Sequence, residues 1–347
     1  MRTKSSKPTS RDIAYAAGVS QATVSRALRH SPEVKPETRE RVLQIARDLN
    51  YRVDKHAAGL RSRQSQTIAL LLFEDRTTDE SQINPFFLSM LGSIARAAAA
   101  VDYDLLVSFQ QLSNNWHSRY EAANRADGII LLGYGDYLTY GERLASLDDA
   151  GAHYMIWGPE LPDGHAGRSV GCNNQSGMRQ GVQHLLSMGR RNIAFLGKST
   201  DRYPEFKQRY LGYCDALRVV GVEPDAQLFL DSDNQEIAGY LAIKQLIARG
   251  VPFDGIAAAS DLIAIGALRA LQETGHDVPT DVSLVGFDDI PAAAYVNPGL
   301  TTVRQDTTRA GQALVENLVG LIEDRPVTSS LIEPRLVVRR SCGGHPR

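Results

Sequence analysis

At 347 residues, 43% of them hydrophobic, the chain is long enough for two or three domains, and no run approaches the ~18 apolar residues of a membrane span. Cys172, Cys214 and Cys342 lie too far apart for a paired metal motif or a disulfide framework, which leaves a reducing setting without metal or cofactor as the expectation. The net charge of −2 conceals an asymmetry: residues 1–63 hold 14 Lys plus Arg against 6 Asp plus Glu, leaving 24 against 34 for residues 64–347, a basic head on an acidic body that points to a polyanion-binding module joined to something else.

The chain opens "MRTKSSKPTSRDIAY", basic but with no apolar stretch behind it, so it does not read as a secretory signal and a cytoplasmic protein is expected. In the head, Ser10 can cap a first helix with Asp12 in its first turn, and Gly18 suits the left-handed residue that ends it. Ser20 can cap a second helix, with Thr23 three residues on. Val24, Ala27 and Leu28 turn inward there, while Gln21, Ala22, Ser25 and Arg26 fall on the outer face or at its amino end. A third pattern, "KPETRERVLQIARDLNY", has Pro36 in its first turn and Val42, Ile45, Ala46 and Leu49 as its stripe. Three short helices with a glycine turn between the first two describe a helix-turn-helix domain, and the hydroxyls, amide and guanidinium on the second are groups that pair with phosphates and base edges.

"SRDIAYAAGVSQATVSRALRHSPEVKPETRERVLQIARDLNYR", Ser10 to Arg52, resembles the DNA-binding head of the lactose-repressor (LacI/GalR) family. The resemblance implies a helix-turn-helix head over 1–52, a hinge over 53–66 and a two-lobed effector-binding and dimerisation core over 67–347. It implies a transcription regulator, a repressor, that binds a palindromic double-stranded operator as a homodimer. The second helix would lie in the major groove with Gln21 and Ala22 at the base-reading positions. Gln can bond an adenine twice, and Ala can pack on a thymine methyl. Arg26 would read guanine or hold a phosphate, and Ser20, Thr23 and Ser25 would hold phosphates and fix register. In the hinge, Leu60 occupies the position of a minor-groove wedge, with Arg61 and Arg63 following the phosphates. This chain has Val53 and Asp54 where the family commonly has proline and asparagine, and Gly59 follows Ala58 where arginine is common. A mid-helix glycine costs up to about 1 kcal/mol against alanine, so the hinge helix should be weak off DNA.

The body alternates apolar runs with helical patterns. Strands are predicted at 67–73, 103–109, 127–133, 153–158, 191–197, 254–260 and 281–287, with helices between them such as Phe87 to Ala100 and Gln175 to Met188. Near-continuous apolar strands separated by helices indicate parallel sheets covered on both faces. The strand count and the polar break "GPELPDGHAG" at 158–167 suggest two sheets and two lobes, like the periplasmic-binding-protein-like core of the same family. The resemblance implies that the chain returns to the first lobe near Pro291–Leu300 and crosses again near Asp324–Ser330.

A ligand of such a core sits between the lobes, beyond the carboxyl ends of the strands. The matching positions are Phe86 and Phe87 of "NPFF", Gln110 of "SFQQ", Trp157 at a crossover, and Arg209 of "EFKQRYLGY". Ser260 stands where the family usually has asparagine, and Asp288 of "VGFDD" and Gln305 of "TTVRQD" complete the set. Aromatic faces with Asp, Arg and Gln suit a small carbohydrate, though the same rings could stack on a purine or nucleoside. The sequence has no HExxH and no P-loop, and its eight histidines are scattered, so nothing in it favours an enzyme. A solute-binding protein with an unrelated basic head is the remaining alternative. The ending "LIEPRLVVRRSCGGHPR" carries no leucine heptad for a tetramer.

Overall fold

A computed structural model of the protein describes residues 8–28, 31–51, 65–73, 83–109, 116–133, 137–159 and 167–343. The chain divides into two compact units, Met1–Arg63 and Gln64–Arg347. Most of the expected hinge, including Leu60, Arg61 and Arg63, lies outside the described residues, as does Gln110.

The first unit has three described helices, α1 (Ser10–Ala17), α2 (Gln21–Leu28) and α3 (Pro36–Asp48). Thr9, not Ser10, caps α1, because this places Asp12 at the third helical position, from which its carboxylate reaches back. It accepts from the Thr9 N–H at 2.7 Å and the Thr9 hydroxyl at 2.8 Å, and these two bonds hold Asp12 below the usual carboxylate range. Gly18 takes φ +64°, so its N–H reaches Tyr15 O at 3.3 Å and the Val19 N–H reaches Ala14 O at 3.0 Å, which closes the helix in two steps. Ser20 then caps α2, its Oγ accepting from the Thr23 N–H at 3.1 Å. Ile13, Ala17, Val24, Ala27, Val34, Val42 and Ala46 form the small core. Leu49, expected in that core, lies past the end of α3 and is exposed, and Tyr51 packs on the core instead.

In the second unit, one sheet runs β11-β5-β4-β3-β1-β2. Its strands are β1 (Thr67–Leu72), β2 (Asp104–Phe109), β3 (Gly128–Leu132), β4 (Tyr154–Trp157), β5 (Ser169–Cys172) and β11 (Ser330–Ile332), all parallel. The other runs β12-β10-β9-β8-β6-β7. It comprises β6 (Ile193–Leu196), β7 (Phe229–Leu230), β8 (Gly255–Ala258), β9 (Ser283–Asp288), β10 (Thr301–Arg304) and β12 (Arg335–Val337), with β12 antiparallel to β10. The helices are α4 (Pro85–Ala100), α5 (Trp116–Tyr120), α6 (Tyr137–Asp149), α7 (Asn174–Ser187), α8 (Pro204–Val219), α9 (Glu236–Arg249), α10 (Asp261–Glu273), α11 (Pro291–Tyr295) and α12 (Thr307–Ile322). Alternation explains the unbroken apolar runs: Ile68, Leu70 and Leu72 join the core with Phe86, Met90 and Leu314, whereas Ala69, Leu71 and Phe73 join Trp116, Leu144 and Leu147. No described helix is long and apolar enough to cross a membrane.

The seven predicted strands are all present, each shifted by at most two residues at an end. The chain path differs from expectation. Trp157 does not stand at a crossover: β5 pairs with β4 in the same sheet (Trp157 opposite Val170), and the chain leaves the first lobe only at Asn173. The return does not occur at 291–300, where α11 and β10 still complete the second lobe; it occurs at Gln305–Asp306, after which α12 packs on α4 and beneath the first sheet. The last passage is at 333–334, between β11 and β12, not at 324–330. Two of the passages are tied together, since the Asn173 side-chain amide donates to Glu333 Oε1 at 2.7 Å and its N–H to Ile332 O at 3.0 Å.

At the entry to β1, Asp127 accepts from the Ser65 N–H at 2.5 Å and the Gln66 N–H at 2.7 Å. The far end of the chain is also built in: Ser341 Oγ accepts from the Thr301 N–H at 2.8 Å and donates to Leu284 O at 2.7 Å.

On the second lobe α9 and α10 meet glycine to backbone: a Cβ on Gly266 would overlap the Glu236 carbonyl, and one on Gly239 the Ile263 carbonyl. Gly266→Ala should therefore destabilise the second unit by about 3 kcal/mol in urea unfolding, because two backbones must separate. Gly141→Ala, on α6 with open space around it, should instead stabilise by about 0.5–1 kcal/mol. Equal effects from the two variants would show that the α9–α10 crossing is looser than described.

Candidate functional site

The head offers the outer face of α2. Ala22 and Arg26 are exposed, and Gln21, Thr23 and Ser25 are partly so, while Val24 and Ala27 hold the opposite face in the core. Ser20 Oγ and Thr23 Oγ1 lie 2.9 Å apart, so one hydroxyl donates to the other and the second hydroxyl's hydrogen is left for an outside acceptor. Arg26 Nε meets Glu33 Oε2 at 3.3 Å, both side chains more than half exposed, a surface pair of small energy that a phosphate can replace. The face thus carries an amide, a methyl, hydroxyls and a guanidinium within two helical turns.

Between the lobes lies a cavity of about 220 Å³, lined by Phe86, Ser89, Asp288, Asp289, Ile290, Arg304, Gln305 and Thr307. Phe86 and Ser89 come from the first turns of α4, where Asn84 Oδ1 caps the helix by accepting from the Phe86 N–H at 2.9 Å. Asp288 ends β9, and Gln305 stands at the second passage between lobes. Their side chains meet, Gln305 Nε2 donating to Asp288 Oδ1 at 2.7 Å.

Arg209 stands behind this wall, not on it. It is fully buried, its Nε donating to Asn174 Oδ1 at 2.8 Å and its Nη1 to Ala259 O at 2.6 Å. Its Nη1 lies 3.5 Å from Asp288 Oδ1, and its guanidinium carbon is 3.9 Å from the centre of the Phe287 ring. Burial pushes the Asp288 carboxyl up to about 6, against the opposing pull of Arg209 and the Gln305 amide. Asp261, also fully buried, accepts from the Ile290 N–H at 2.9 Å and the Thr302 hydroxyl at 2.5 Å; burial and then the Asp288 charge raise it well above the ordinary carboxylate range.

The turn after β9 is strained. Asp288 has φ +113° and Asp289 φ +56°, conformations that cost of order 1–3 kcal/mol each for residues other than glycine. Side chains hold it in place: Asp289 receives the Arg304 guanidinium, and Arg339 Nη2 at 2.6 Å.

Of the residues expected at an effector, Phe86, Asp288 and Gln305 line the cavity. Phe87 and Trp157 are buried supports for Phe86, with ring centres at 5.4 and 6.1 Å from it. Ser260 is fully buried as the cap of α10, its Oγ accepting from the Ile263 N–H at 3.3 Å. Sequence reasoning missed Ser89, Asp289, Arg304 and Thr307 on the wall, and Asn174 behind it. The doubled acid of "VGFDD" and the arginine beside Gln305 in "TTVRQD" were the available signals. Among the described residues no cluster of His, Cys, Asp and Glu could hold a metal ion.

Residues 9–54 match the bacterial regulatory proteins of the lacI family, and residues 182–342 match a periplasmic binding protein-like domain. The chain is 32% identical over 343 residues to the HTH-type transcriptional regulator CelR of Thermobifida fusca, which spans 96% of this chain and 98% of that one. A solved CelR–cellobiose complex shares 30% identity and a TM-score of 0.71, covering 96% of this chain and 99% of that one. The lac repressor dimer bound to operator and the anti-inducer ONPF shares 26% identity and a TM-score of 0.80, with the same coverage of 96% and 99%.

Arg209→Met should destabilise the second unit by about 3–5 kcal/mol at pH 8, since it strands the buried Asp288 carboxylate. The Asp288 carboxyl binds its proton more tightly folded than unfolded, so the cost of its charge sets in as the pH rises through about 6. Urea unfolding of the variant at pH 5 should accordingly show a clearly smaller loss. The same loss at both pH values would mean that Arg209 contributes packing and no charge compensation.

Proposed function

The chain belongs to the lacI family of bacterial regulatory proteins and is a DNA-binding transcriptional regulator, not an enzyme; from that premise we propose a repressor that binds a palindromic operator as a homodimer and is controlled by a small carbohydrate between its lobes. The observation that carries the effector class is the wall itself. Asp288 and Gln305 form an acceptor and an amide side by side, Ser89 and Thr307 add hydroxyls from the opposite lobe, and Phe86 supplies one aromatic face. Adjacent sugar hydroxyls suit such paired groups, and a C–H ring face suits the phenyl. The solved CelR–cellobiose complex supports the same class.

For the operator, Gln21 and Ala22 are proposed to read base edges, with Ser20, Thr23, Ser25 and Arg26 on phosphates, and Leu60 and Arg61 in the minor groove. Support for a dimer comes from exposed apolar side chains at two places: Leu88 of α4 with Phe109 of the edge strand β2, and Ile237 with Leu241, one turn apart on α9. Site selection with the purified protein should return a palindrome, and Gln21→Ala should change the preferred base at one symmetric pair of positions by roughly 1–3 kcal/mol. Affinity should also fall steeply with salt, as the basic head releases counterions. An unchanged consensus for the variant would take α2 out of the groove.

Control follows from what the cavity touches. Phe86, Ser89 and Thr307 belong to the first lobe, and Asp288, Asp289 and Arg304 to the second, so a ligand bonded to both favours one lobe arrangement by its difference in affinity for the two. Calorimetry with glucose, galactose, cellobiose and maltose, beside adenine, hypoxanthine and guanosine, should find a sugar that binds and changes operator affinity. Gln305→Ala should weaken that sugar roughly tenfold and leave the operator affinity of the effector-free protein unchanged. Binding of a purine with no response to any sugar would overturn the carbohydrate class.

A further inference from the structure

Among the described residues of the head, Glu33 is the only acid that forms an ion pair, and the base it holds, Arg26, belongs to the outer face of α2. The other acids are engaged elsewhere or face solvent. Asp12 bonds Thr9, Asp48 accepts from Gln44 at 2.9 Å, and Glu37 and Glu40 are exposed on α3. The turn that carries Glu33 is pinned on both sides. The Ser31 N–H donates to Arg26 O at 3.0 Å, which ties the turn to the end of α2. Arg39 of α3 donates from one nitrogen to Ser31 O at 2.8 Å and to Val34 O at 3.0 Å, and Val34 is seated in the small core. Pro32 fixes one backbone torsion beside Glu33. A fixed backbone thus holds the carboxylate within reach of the Arg26 guanidinium, while both side chains stay more than half exposed and can part.

We propose that Glu33 is a specificity residue of the DNA-binding face: the protein's own anion, which occupies Arg26 in place of a phosphate and yields it to the operator more readily than to other DNA. The proposal rests on the reading above that α2 meets DNA through Arg26. On a duplex of arbitrary sequence, Arg26 exchanges a carboxylate for a phosphate, one anionic oxygen for another, and the exchange gains little. On the operator, the other contacts of α2 fix its register, so Arg26 meets a partner placed for it and the exchange is favourable. Non-specific binding is almost wholly phosphate electrostatics, so an internal counter-ion suppresses that mode most. Glu33 lowers both affinities but raises their ratio, the quantity that decides occupancy among many competing sites.

The test is binding of the full chain to two duplexes of equal length, the site returned by selection and a scrambled sequence, each over a range of salt. The variants are Glu33→Gln, Arg26→Gln and the two combined, with Glu40→Gln as the control for loss of an unpaired charge. Glu33→Gln should bind the scrambled duplex roughly three- to tenfold tighter, with a salt slope steeper by about one, because Arg26 then takes a phosphate. It should bind the selected site at most about twofold tighter, so the ratio falls. In the Arg26→Gln background the same change should gain nothing on either duplex, and Glu40→Gln should affect the two duplexes alike. An unchanged scrambled affinity in Glu33→Gln, an equal gain on both duplexes, or a gain that persists without Arg26 overturns the proposal. If Arg26→Gln binds both duplexes as the parent does, the placing of Arg26 on DNA falls and the proposal with it. If Arg26→Gln weakens binding while Glu33→Gln changes nothing, the proposal alone falls.

Discussion

The buried guanidinium of Arg209 is the constraint on which the second unit is organised. A cation with almost no contact with solvent is tolerated only where several acceptors are held around it. Those acceptors are the amide oxygen of Asn174, the carbonyl of Ala259 and the carboxylate of Asp288, drawn from the start of α7, the end of β8 and the end of β9. Arg209 thereby aligns three chain segments that are far apart in sequence. Asn174 follows directly on the first passage between lobes, and Asp288 faces the cavity, so one charge links that passage to the cavity wall. This arrangement contributes definition of geometry more than net stability, since a buried ion pair seldom exceeds a well-packed apolar replacement.

The strain at Asp288 and Asp289 belongs to the same design. Left-handed backbone at two successive non-glycine residues persists because Arg304 and Arg339 grip Asp289, and because Asp261 holds the next N–H, that of Ile290. The result places a carboxylate, an amide and a guanidinium on one rim without a long loop. Proteins commonly concentrate such locally unfavourable features at their binding sites and offset them elsewhere. Here the offset comes from apolar strands buried on both faces and from a carboxy-terminal segment that seats Ser341 and Cys342 beneath the second sheet.

The head follows another logic. Its core is small, so its stability leans on local terms: the reciprocal Thr9–Asp12 cap, the left-handed Gly18 and the Ser20 cap of α2. Each of these lies in the first two helices or the turn that joins them. The geometry that presents Gln21, Ala22 and Arg26 is therefore encoded within a few residues, which suits a module whose contacts must be made on a surface of fixed pitch.

The sequence by itself determined the features that depend on neighbours in the chain. The Gly18 turn, the Ser20 cap and the apolar stripes of α2 and α3 follow from local periodicity, as do the seven apolar strands: those in the middle of a sheet, such as β1 and β3, are buried on both faces and must be apolar throughout, whereas β2 lies at the edge and is partly exposed. Local resemblance also pointed to Phe86, Asp288 and Gln305, which line the cavity between the lobes. Only the tertiary structure decided where the chain changes lobes, because β5, β10, β11 and β12 are three or four residues of mixed polarity whose strand character comes from the strands they pair with. It also decided that Trp157 and Phe87 support the wall and that Arg209 lies behind it. Whether an arginine faces a ligand or a carboxylate depends on which distant segments converge on it, and that convergence is a property of packing, not of spacing.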